Sequence, residues 1–502
     1  MRTTAAATMR GVGRLPLTAA ITVVIAAVVV SGVTGGSSVP VASKGRPLAT
    51  AVFDPGNFDR KSARDVRNAG GTFARVVLWW PSVVSGGTEK PPGFDARNPA
   101  DSHYSWKPFD TAVRTVVAAG LQPLVDLHDA PAWAREKTCV GDGAAKCRPS
   151  SAALADFATA AAKRYGGDFR GLPRVRYWQV WNEPNLSIEL MPQVADGKPV
   201  SPEIYRDMVN AVAKSVHDVH RDNIVVAGGL APFGGDINDP SGGPVGGQIR
   251  IHPMDFMRRF LCMSSGSKPE TTCDDKAEFD VWAHHPYTYG GPTHKAYDPD
   301  DVSLGDLGEM RSLLNAAKKA GHIESTRPDI GFWVTEFSYD SQPADPKGLP
   351  PALHARWVSE SLYRMWSSGV GLVTWFLVYD QPFPEQMFQS GLYTMNGKPK
   401  PALRAFRFPF VAFRQKGGGI RYWGRTPAGA NKAVVVEQSQ GARWTRLVAP
   451  KVDRYGIFQG RVSNVRANGP LRARLLDRSD RSQPFSLDVP ADFRFCPWGS
   501  FC

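Results

Sequence analysis

Long apolar runs are scarce in this 502-residue sequence: the only one lies near the N-terminus, at residues 15–33. The lack of a second such run excludes a polytopic membrane protein. The sequence also lacks the composition of a disordered chain or a coiled-coil rod, since 42% of its residues are hydrophobic and 21% are charged. What remains is a globular chain with room for one large domain and an appendage, or for two to three domains.

The central part of the chain has no excess of basic residues. The formal net charge of +13 comes from 60 Lys and Arg against 47 Asp and Glu. Residues 1–38 contribute +3, residues 411–502 contribute +10 with 16 basic and 6 acidic side chains, and residues 39–410 are neutral. We therefore expect no nucleic acid as a partner. The basic C-terminal segment could bind an anionic cell-wall polymer, or it could be an ordinary solvated face of a domain that stiffens its neighbour.

The N-terminal run has the layout of an export signal. Arg2, Arg10 and Arg14 precede it, and small and polar residues follow it up to about residue 43. A predominantly apolar stretch of nineteen residues is also just long enough to span a bilayer, so a retained anchor in the membrane is the alternative to a cleaved signal peptide. With either outcome we expect the body of the protein to be secreted or to lie outside the cytoplasm.

The cysteines lack the spacing of a metal site. There is no CxxC pair, and no histidine lies near a cysteine pair at zinc-ligand spacing. Six cysteines permit fifteen pairings. We predict local disulfides, because each pair is close in sequence and exported proteins tolerate such bonds. The predicted pairs are Cys139–Cys147, Cys262–Cys273 and Cys496–Cys502.

Eight short apolar runs alternate with segments of helical periodicity in the body of the chain. No Gly-rich phosphate loop follows the first run, which argues against a doubly wound nucleotide-binding sheet. The pattern predicts a (β/α)8 TIM barrel over residues 44–413. The runs are 48–53, 72–80, 121–127, 175–181, 224–230, 279–284, 330–335 and 371–376.

Helix-length patterns are absent after residue 413. Five short alternating runs, broken by Gly, Asn and Pro, occupy the remaining residues. We therefore predict a small all-β, sandwich-like C-terminal domain over residues 414–502.

Two runs of the predicted barrel end in a glutamate. The fourth ends in Trp-Asn-Glu-Pro-Asn, with Glu183 at its centre, and the seventh ends in Val-Thr-Glu, with Glu336. Barrel enzymes form their active sites at the C-terminal ends of the strands, and strands four and seven face each other. Two carboxyl groups over one cleft are what cleavage of a glycosidic bond requires.

Other predicted strand ends supply the rest of a polar cup. A cation from the second strand would keep Glu336 ionised, a tyrosine would orient it, and a tryptophan would offer a flat face to a sugar ring. The histidines could bind sugar hydroxyls or be satisfied packing residues. The predicted substrate-binding residues are Arg75, His128, Asn182, His285, Tyr287 and Trp375.

The segment 177–185, Tyr-Trp-Gln-Val-Trp-Asn-Glu-Pro-Asn, resembles the fourth-strand signature of clan A glycoside hydrolases, with families 39 and 5 the most similar. The resemblance covers about residues 48–410. It implies that Glu183 is the general acid/base, that Glu336 is the nucleophile and that Asn182 binds the sugar 2-hydroxyl. It also matches Arg75 to the family's second-strand Arg, His285 and Tyr287 to its sixth-strand pattern, and Trp375 to its eighth-strand Trp.

The sequence thus predicts a secreted retaining glycoside hydrolase of an oligo- or polysaccharide, with β-linkages favoured. The mechanism requires neither a metal nor a cofactor. Two alternatives remain open at this point: an inactive barrel that serves as a glycan-binding or cell-surface module, and a transglycosylase.

Overall fold

The computed structural model describes residues 45–84, 86–137, 139, 145–235, 248–427, 432–463, 465 and 469–488. The predicted export signal and the predicted Cys496–Cys502 bond lie outside the described residues. The other two predicted disulfides, Cys139–Cys147 and Cys262–Cys273, are present. Within the described ranges, no helix combines the length and the apolar character needed to cross a membrane.

Eight parallel strands close into a barrel, and each joins its neighbour in the order β1-β8-β7-β6-β5-β4-β3-β2. This confirms the predicted (β/α)8 fold, and each strand falls within three residues of a predicted run. The strands are β1 (Ala49–Phe53), β2 (Phe73–Trp79), β3 (Gln122–His128), β4 (Tyr177–Val180), β5 (Ile224–Leu230), β6 (Val281–His284), β7 (Gly331–Phe337) and β8 (Leu372–Phe376).

Helices connect the strands and cover the outside of the barrel. Several have clear sequence-encoded ends: Asp59 and Ser62 form a capping box at the start of the first helix, and Gly321 ends another at φ +86°. The helices are α1 (Arg60–Asn68), α2 (Trp80–Val83), α3 (Lys107–Ala118), α4 (Ser151–Arg164), α5 (Ser201–Val219), α6 (Pro253–Phe260), α7 (Leu307–Ala320), α8 (Pro351–Ser367) and α9 (Pro401–Arg407).

The barrel interior is apolar over part of its length and polar where the strands end. One cluster of fully buried side chains comes from β3, β5 and β6, and Tyr177 and Trp333 pack against it. Because side chains alternate along a strand, the next inward positions of β3 and β7 carry Asp126 and residues of the polar end. This apolar layer packs inside the barrel beneath the C-terminal strand ends that carry the residues of the candidate site.

Two three-stranded antiparallel sheets follow the barrel, in the orders β9-β10-β13 and β12-β11-β14. The first begins at residue 410, a few residues before the predicted domain boundary. Its first two strands lie outside the five alternating runs predicted for this region, which are 433–437, 444–448, 460–465, 471–476 and 485–489. The strands are β9 (Phe410–Arg414), β10 (Ile420–Arg425), β11 (Val434–Gln440), β12 (Arg443–Val448), β13 (Ile457–Val462) and β14 (Leu471–Leu475).

These sheets pack directly on the barrel. The Tyr363 ring on α8 lies 5.4 Å from Phe413 and 5.5 Å from Trp423, measured between ring centroids. The buried Arg425 of β10 donates a 2.7 Å hydrogen bond to the carbonyl of Leu48, just before β1. Barrel and C-terminal sheets therefore share one continuous hydrophobic core.

Candidate active site

The turn after β4 holds Glu183 in a sparsely populated backbone conformation. Trp181 has φ +66° and Glu183 has φ +42°, values that cost a non-glycine residue about 1–3 kcal/mol each. Two backbone bonds secure the turn: Trp181 N–H donates to Leu127 O and Glu183 N–H donates to Gly229 O, both at 3.0 Å. The neighbouring strands thus impose the direction in which Glu183 leaves β4.

Glu336 sits at an irregularity of β7. Val334 pairs with Val373 of β8, but Phe337 pairs with Trp375, so the register shifts between them. The shift encloses Thr335 and Glu336. Bulges of this kind redirect side chains and recur beside active sites.

Arg75 on β2 joins three side-chain acceptors. Its guanidinium lies 2.7 Å from Glu336 Oε2, 2.7 Å from Asp126 Oδ2 and 2.7 Å from Asn182 Oδ1. Burial works against its charge, but Asp126 and Glu336 outweigh burial and raise the pKa of Arg75 above its ordinary value. Burial also raises the pKa of Asp126 to about 6, although Arg75 opposes this shift. A permanent cation therefore lies against Glu336.

The second oxygen of Glu336 is also held. The Tyr287 hydroxyl donates to Glu336 Oε1 at 3.0 Å. With Arg75 on the other oxygen, the plane of the carboxylate is fixed from two strands. The Glu336 side chain is still 17% exposed, so it can be reached from the cleft.

Among the described residues no Lys or Arg contacts Glu183, which lies beside a neutral imidazole. Its Oε1 is 2.9 Å from His285 Nδ1, and His285 Nε2 is 3.1 Å from Thr335 Oγ1. Burial lowers the pKa of His285 to about 3, which keeps the ring neutral. Burial raises the pKa of Glu183 to about 7, against the opposing charge of Arg75. Glu183 can therefore keep its proton close to neutral pH.

The two glutamates are close together. One oxygen of Glu183, one oxygen of Glu336 and one nitrogen of His285 all lie within 4.8 Å of one another. Such a set could also bind a divalent cation. In the described geometry, however, both ring nitrogens of His285 are engaged by Glu183 and Thr335.

The structure places two predicted residues away from the glutamate pair. His128 lies between the rings of Trp79 and Trp181, and its Nε2 is 3.4 Å from Glu189 Oε2. Trp375 is only 1% exposed: its ring is enclosed by aromatic neighbours and its Nε1 donates to Ser390 O at 2.7 Å. Trp375 therefore offers no open face to a ligand, whereas Trp79 at the end of β2 is 41% exposed.

Sequence reasoning did not assign site roles to three residues that the structure brings here. Asp126 had a visible signal, because it interrupts an apolar run that ends at a strand terminus. Thr335 directly precedes Glu336, yet its contact with His285 depends on the barrel geometry. Glu189 lies in an irregular segment after β4, where no periodicity indicates its direction.

The fold and site together define a (β/α)8 barrel with two neighbouring carboxyl groups of different environment at its strand ends. The chain matches no protein-family model and no curated protein. In fold it is similar to solved glycoside hydrolases. A family 39 glycoside hydrolase from Bacteroides cellulosilyticus WH2 is 18% identical, with a TM-score of 0.48 over 83% of this chain and 79% of that one.

Two further structures give similar values. The family 39 enzyme from Xanthomonas axonopodis pv. citri is 16% identical, with a TM-score of 0.48 over 84% of this chain and 93% of that one. A family 30 endoxylanase from Clostridium papyrosolvens C71 is 13% identical, with a TM-score of 0.44 over 83% and 94%.

Proposed function

We propose that this chain is a retaining glycoside hydrolase that acts outside the cytoplasm on a β-linked oligo- or polysaccharide. The observation that carries the proposal is the pair Glu183 and Glu336, with oxygens within 4.8 Å of each other. Retaining enzymes place their two carboxyl groups about 5–5.5 Å apart, whereas inverting enzymes leave about 6.5–9.5 Å for a water molecule. The two local disulfides support an extracellular location.

In the first step, Glu336 attacks the anomeric carbon as a carboxylate while Glu183 gives its proton to the glycosidic oxygen. The carbon–oxygen bond to the leaving group breaks and an ester between the sugar and Glu336 forms. The environments suit these roles, because Glu336 has a cation at 2.7 Å, whereas the neutral imidazole of His285 lies 2.9 Å from Glu183.

In the second step, Glu183, now a carboxylate, takes a proton from water. The water oxygen bonds to the anomeric carbon, and the ester bond to Glu336 breaks with the electron pair returning to the carboxylate. Two displacements restore the original anomeric configuration. Arg75 and Tyr287 can stabilise the departing carboxylate through the contacts they already make with its two oxygens.

Asn182 is suited to bind a sugar hydroxyl. Arg75 donates to its Oδ1 at 2.7 Å, which determines the orientation of the amide and directs Nδ2 to the opposite side. The amide nitrogen can then donate to the substrate, in agreement with the 2-hydroxyl role that the sequence resemblance implies.

The decisive experiment compares the parent chain with Glu336→Gln on a panel of aryl β-glycosides. We expect the variant to lose about 10³-fold or more in kcat, because the nucleophile is removed while the shape of the site is kept. Glu309→Gln, which changes an exposed glutamate on α7, is the matched control and should behave as the parent.

Product analysis by NMR completes the test. The first-formed product should have the anomeric configuration of the substrate, and an inverted product would contradict the role of Glu336. Binding of glycans without turnover by the parent chain, and surviving loss of both glutamates, would instead support a glycan-binding module. Products extended by an added acceptor sugar would indicate transglycosylation.

A further inference from the structure

A third carboxyl group, that of Glu189, lies beside the acid/base residue and is not used by the reaction above. Glu189 follows Glu183 by six residues, and its backbone is tied to the same turn. Its N–H donates to Leu186 O at 3.0 Å, and Trp181 Nε1 donates to its carbonyl at 2.9 Å. These bonds place the side chain next to the end of β4.

Each oxygen of this carboxyl group faces a different neighbour. Asn182 Nδ2 donates to Glu189 Oε1 at 3.5 Å, and His128 Nε2 lies 3.4 Å from Oε2. The side chain is 17% exposed, and Oε2 itself is buried and accepts no hydrogen bond from the described residues. Among the described residues, no Lys or Arg comes within ion-pair distance of it.

The charges around Glu189 disfavour a carboxylate. Glu183 and Asp126 are acidic neighbours, and Lys146, the nearby cation, lies 3.4 Å from Asp129 instead. Burial, followed by the charge of Glu183, raises the pKa of Glu189 to about 8 against the opposing effect of Lys146. Burial also lowers the pKa of His128 to about 3, so its ring is neutral and one ring nitrogen can accept a hydrogen bond from a carboxylic acid.

We propose that Glu189 is a positioning residue that works as a neutral carboxylic acid and holds the Asn182 amide in place for the substrate. The side-chain carbonyl oxygen of Glu189, Oε1, accepts a hydrogen bond from the Asn182 amide. The hydroxyl of the protonated carboxyl group donates a hydrogen bond to His128 Nε2. A chain of contacts then runs from Arg75 through Asn182 and Glu189 to His128. The second hydrogen of Asn182 Nδ2 is left for a sugar hydroxyl, and this role rests on the proposed function.

The kinetic test compares three variants on a cleaved aryl glycoside and on its 2-deoxy analogue. We expect Glu189→Ala to lower kcat/KM about tenfold or more on the 2-hydroxy substrate, and much less on the 2-deoxy one. Asn182→Ala should show the same selectivity. Glu189→Gln should recover most of the loss, because its amide offers an acceptor to Asn182 and a donor to His128 without a charge.

Two kinetic results would overturn the proposal. One is a Glu189→Gln variant as impaired as Glu189→Ala, since this would mean that the ionised carboxylate is needed. The other is an equal loss on both substrates, since a merely structural residue would not distinguish them.

A second measurement needs no turnover. Carbon-13 NMR of the parent chain with labelled glutamate should contain one carboxyl resonance that is missing from Glu189→Gln and stays in its protonated form through neutral pH. Glu183→Gln assigns the neighbouring signal. A Glu189 resonance that titrates in the ordinary acidic range would refute the inference. A protonated Glu189 in a chain that cleaves no glycoside would refute the proposed function alone.

Discussion

At the scale of single residues, the two glutamates of the site have the same side chain but differ in the groups that contact their carboxyl oxygens. Glu336 receives a guanidinium on one oxygen and a phenol on the other, whereas Glu183 receives a neutral imidazole. Burial and charge pairing thus give two residues of one type the different protonation states that the proposed acid and the proposed nucleophile require. Both environments originate in side chains at strand ends, which the barrel brings together from distant parts of the sequence.

The protonation state of Glu183 predicts the alkaline side of the pH profile. Because burial raises its pKa to about 7, kcat/KM should fall as the pH rises through about 7, where the proton needed by the leaving group is lost. In Glu183→Gln, a substrate with a dinitrophenyl leaving group needs no proton donor, and its first step should no longer show this fall. A fall that persists in the variant would assign the titration to another group.

Arg75 provides a second prediction at this scale. Arg75→Lys keeps the charge, but an ammonium group cannot satisfy the three side-chain acceptors that the planar guanidinium reaches. We expect kcat/KM to fall about 100-fold. Since Asp126 would be left buried without its partner, the free energy of unfolding should fall by about 3 kcal/mol. Denaturant unfolding and kinetics measure the two effects.

The double variant Arg75→Lys with Asp126→Asn separates stability from activity. Removing the unpaired buried charge should recover part of the unfolding free energy, whereas kcat/KM should stay low because Glu336 still lacks its guanidinium. If activity recovered together with stability, Arg75 would be a structural residue and not part of the site.

At the scale of elements, the backbone of β5 shapes the space next to the site. Gly229 has φ +63°, and a Cβ atom there would lie 3.2 Å from Gln179 Nε2 and 3.6 Å from His285 Nε2. Its carbonyl also accepts the N–H of Glu183. The glycine is therefore required by both its conformation and its neighbours.

Gly229→Ala should lower the free energy of unfolding by about 1–2 kcal/mol, because an alanine in the left-handed region is strained. Activity should fall as well, since Gln179, His285 and the Glu183 turn must shift. Gly308→Ala on α7 is the control: its Cβ would meet open space in a helix, so stability should rise by about 0.5–1 kcal/mol. Equal effects of the two substitutions would contradict this account.

The helices and strands also show which features of the fold the sequence pattern could predict. The eight barrel strands could be predicted because each is a short apolar run between helical segments, and the position of Glu183 and Glu336 followed from their strand ends. The direction of the Trp375 side chain could not be predicted. Because β8 is buried on both faces, its sequence does not alternate between apolar and polar residues, and the inward and outward positions look alike. Strands β9 and β10 could not be predicted either, since they are short and directly follow a helix. Glu189 lies outside any periodic element.

At the scale of the whole molecule, the C-terminal sheets share a core with the barrel. The packing of Tyr363 against Phe413 and Trp423 favours the stiffening role over a loosely attached module. Binding of an anionic cell-wall polymer by the basic C-terminal segment stays a prediction. The two roles are compatible, because these packing contacts are made by β9 and β10, whereas exposed arginines such as Arg443 and Arg446 lie on β12, an edge strand of the other sheet.

Arg425 is the sharpest probe of this shared core. It is 5% exposed and donates to Leu48 O, to Phe406 O and to the Thr50 hydroxyl, which come from both ends of the barrel sequence. Arg425→Ala removes these bonds and leaves the carbonyls buried without donors. We expect the free energy of unfolding of the whole chain to fall by about 3 kcal/mol.

The control for this substitution is Arg446→Ala, which removes an exposed arginine and should change stability by less than about 0.5 kcal/mol. Calorimetry on the full chain should give one transition for the parent and for both variants, with only that of Arg425→Ala shifted downward. Because the barrel and the sheets share one core, intrinsic fluorescence and glycosidase activity should be lost at the same temperature. A parent chain that unfolds in two separate steps, with activity surviving the first, would show that the C-terminal sheets do not stabilise the barrel.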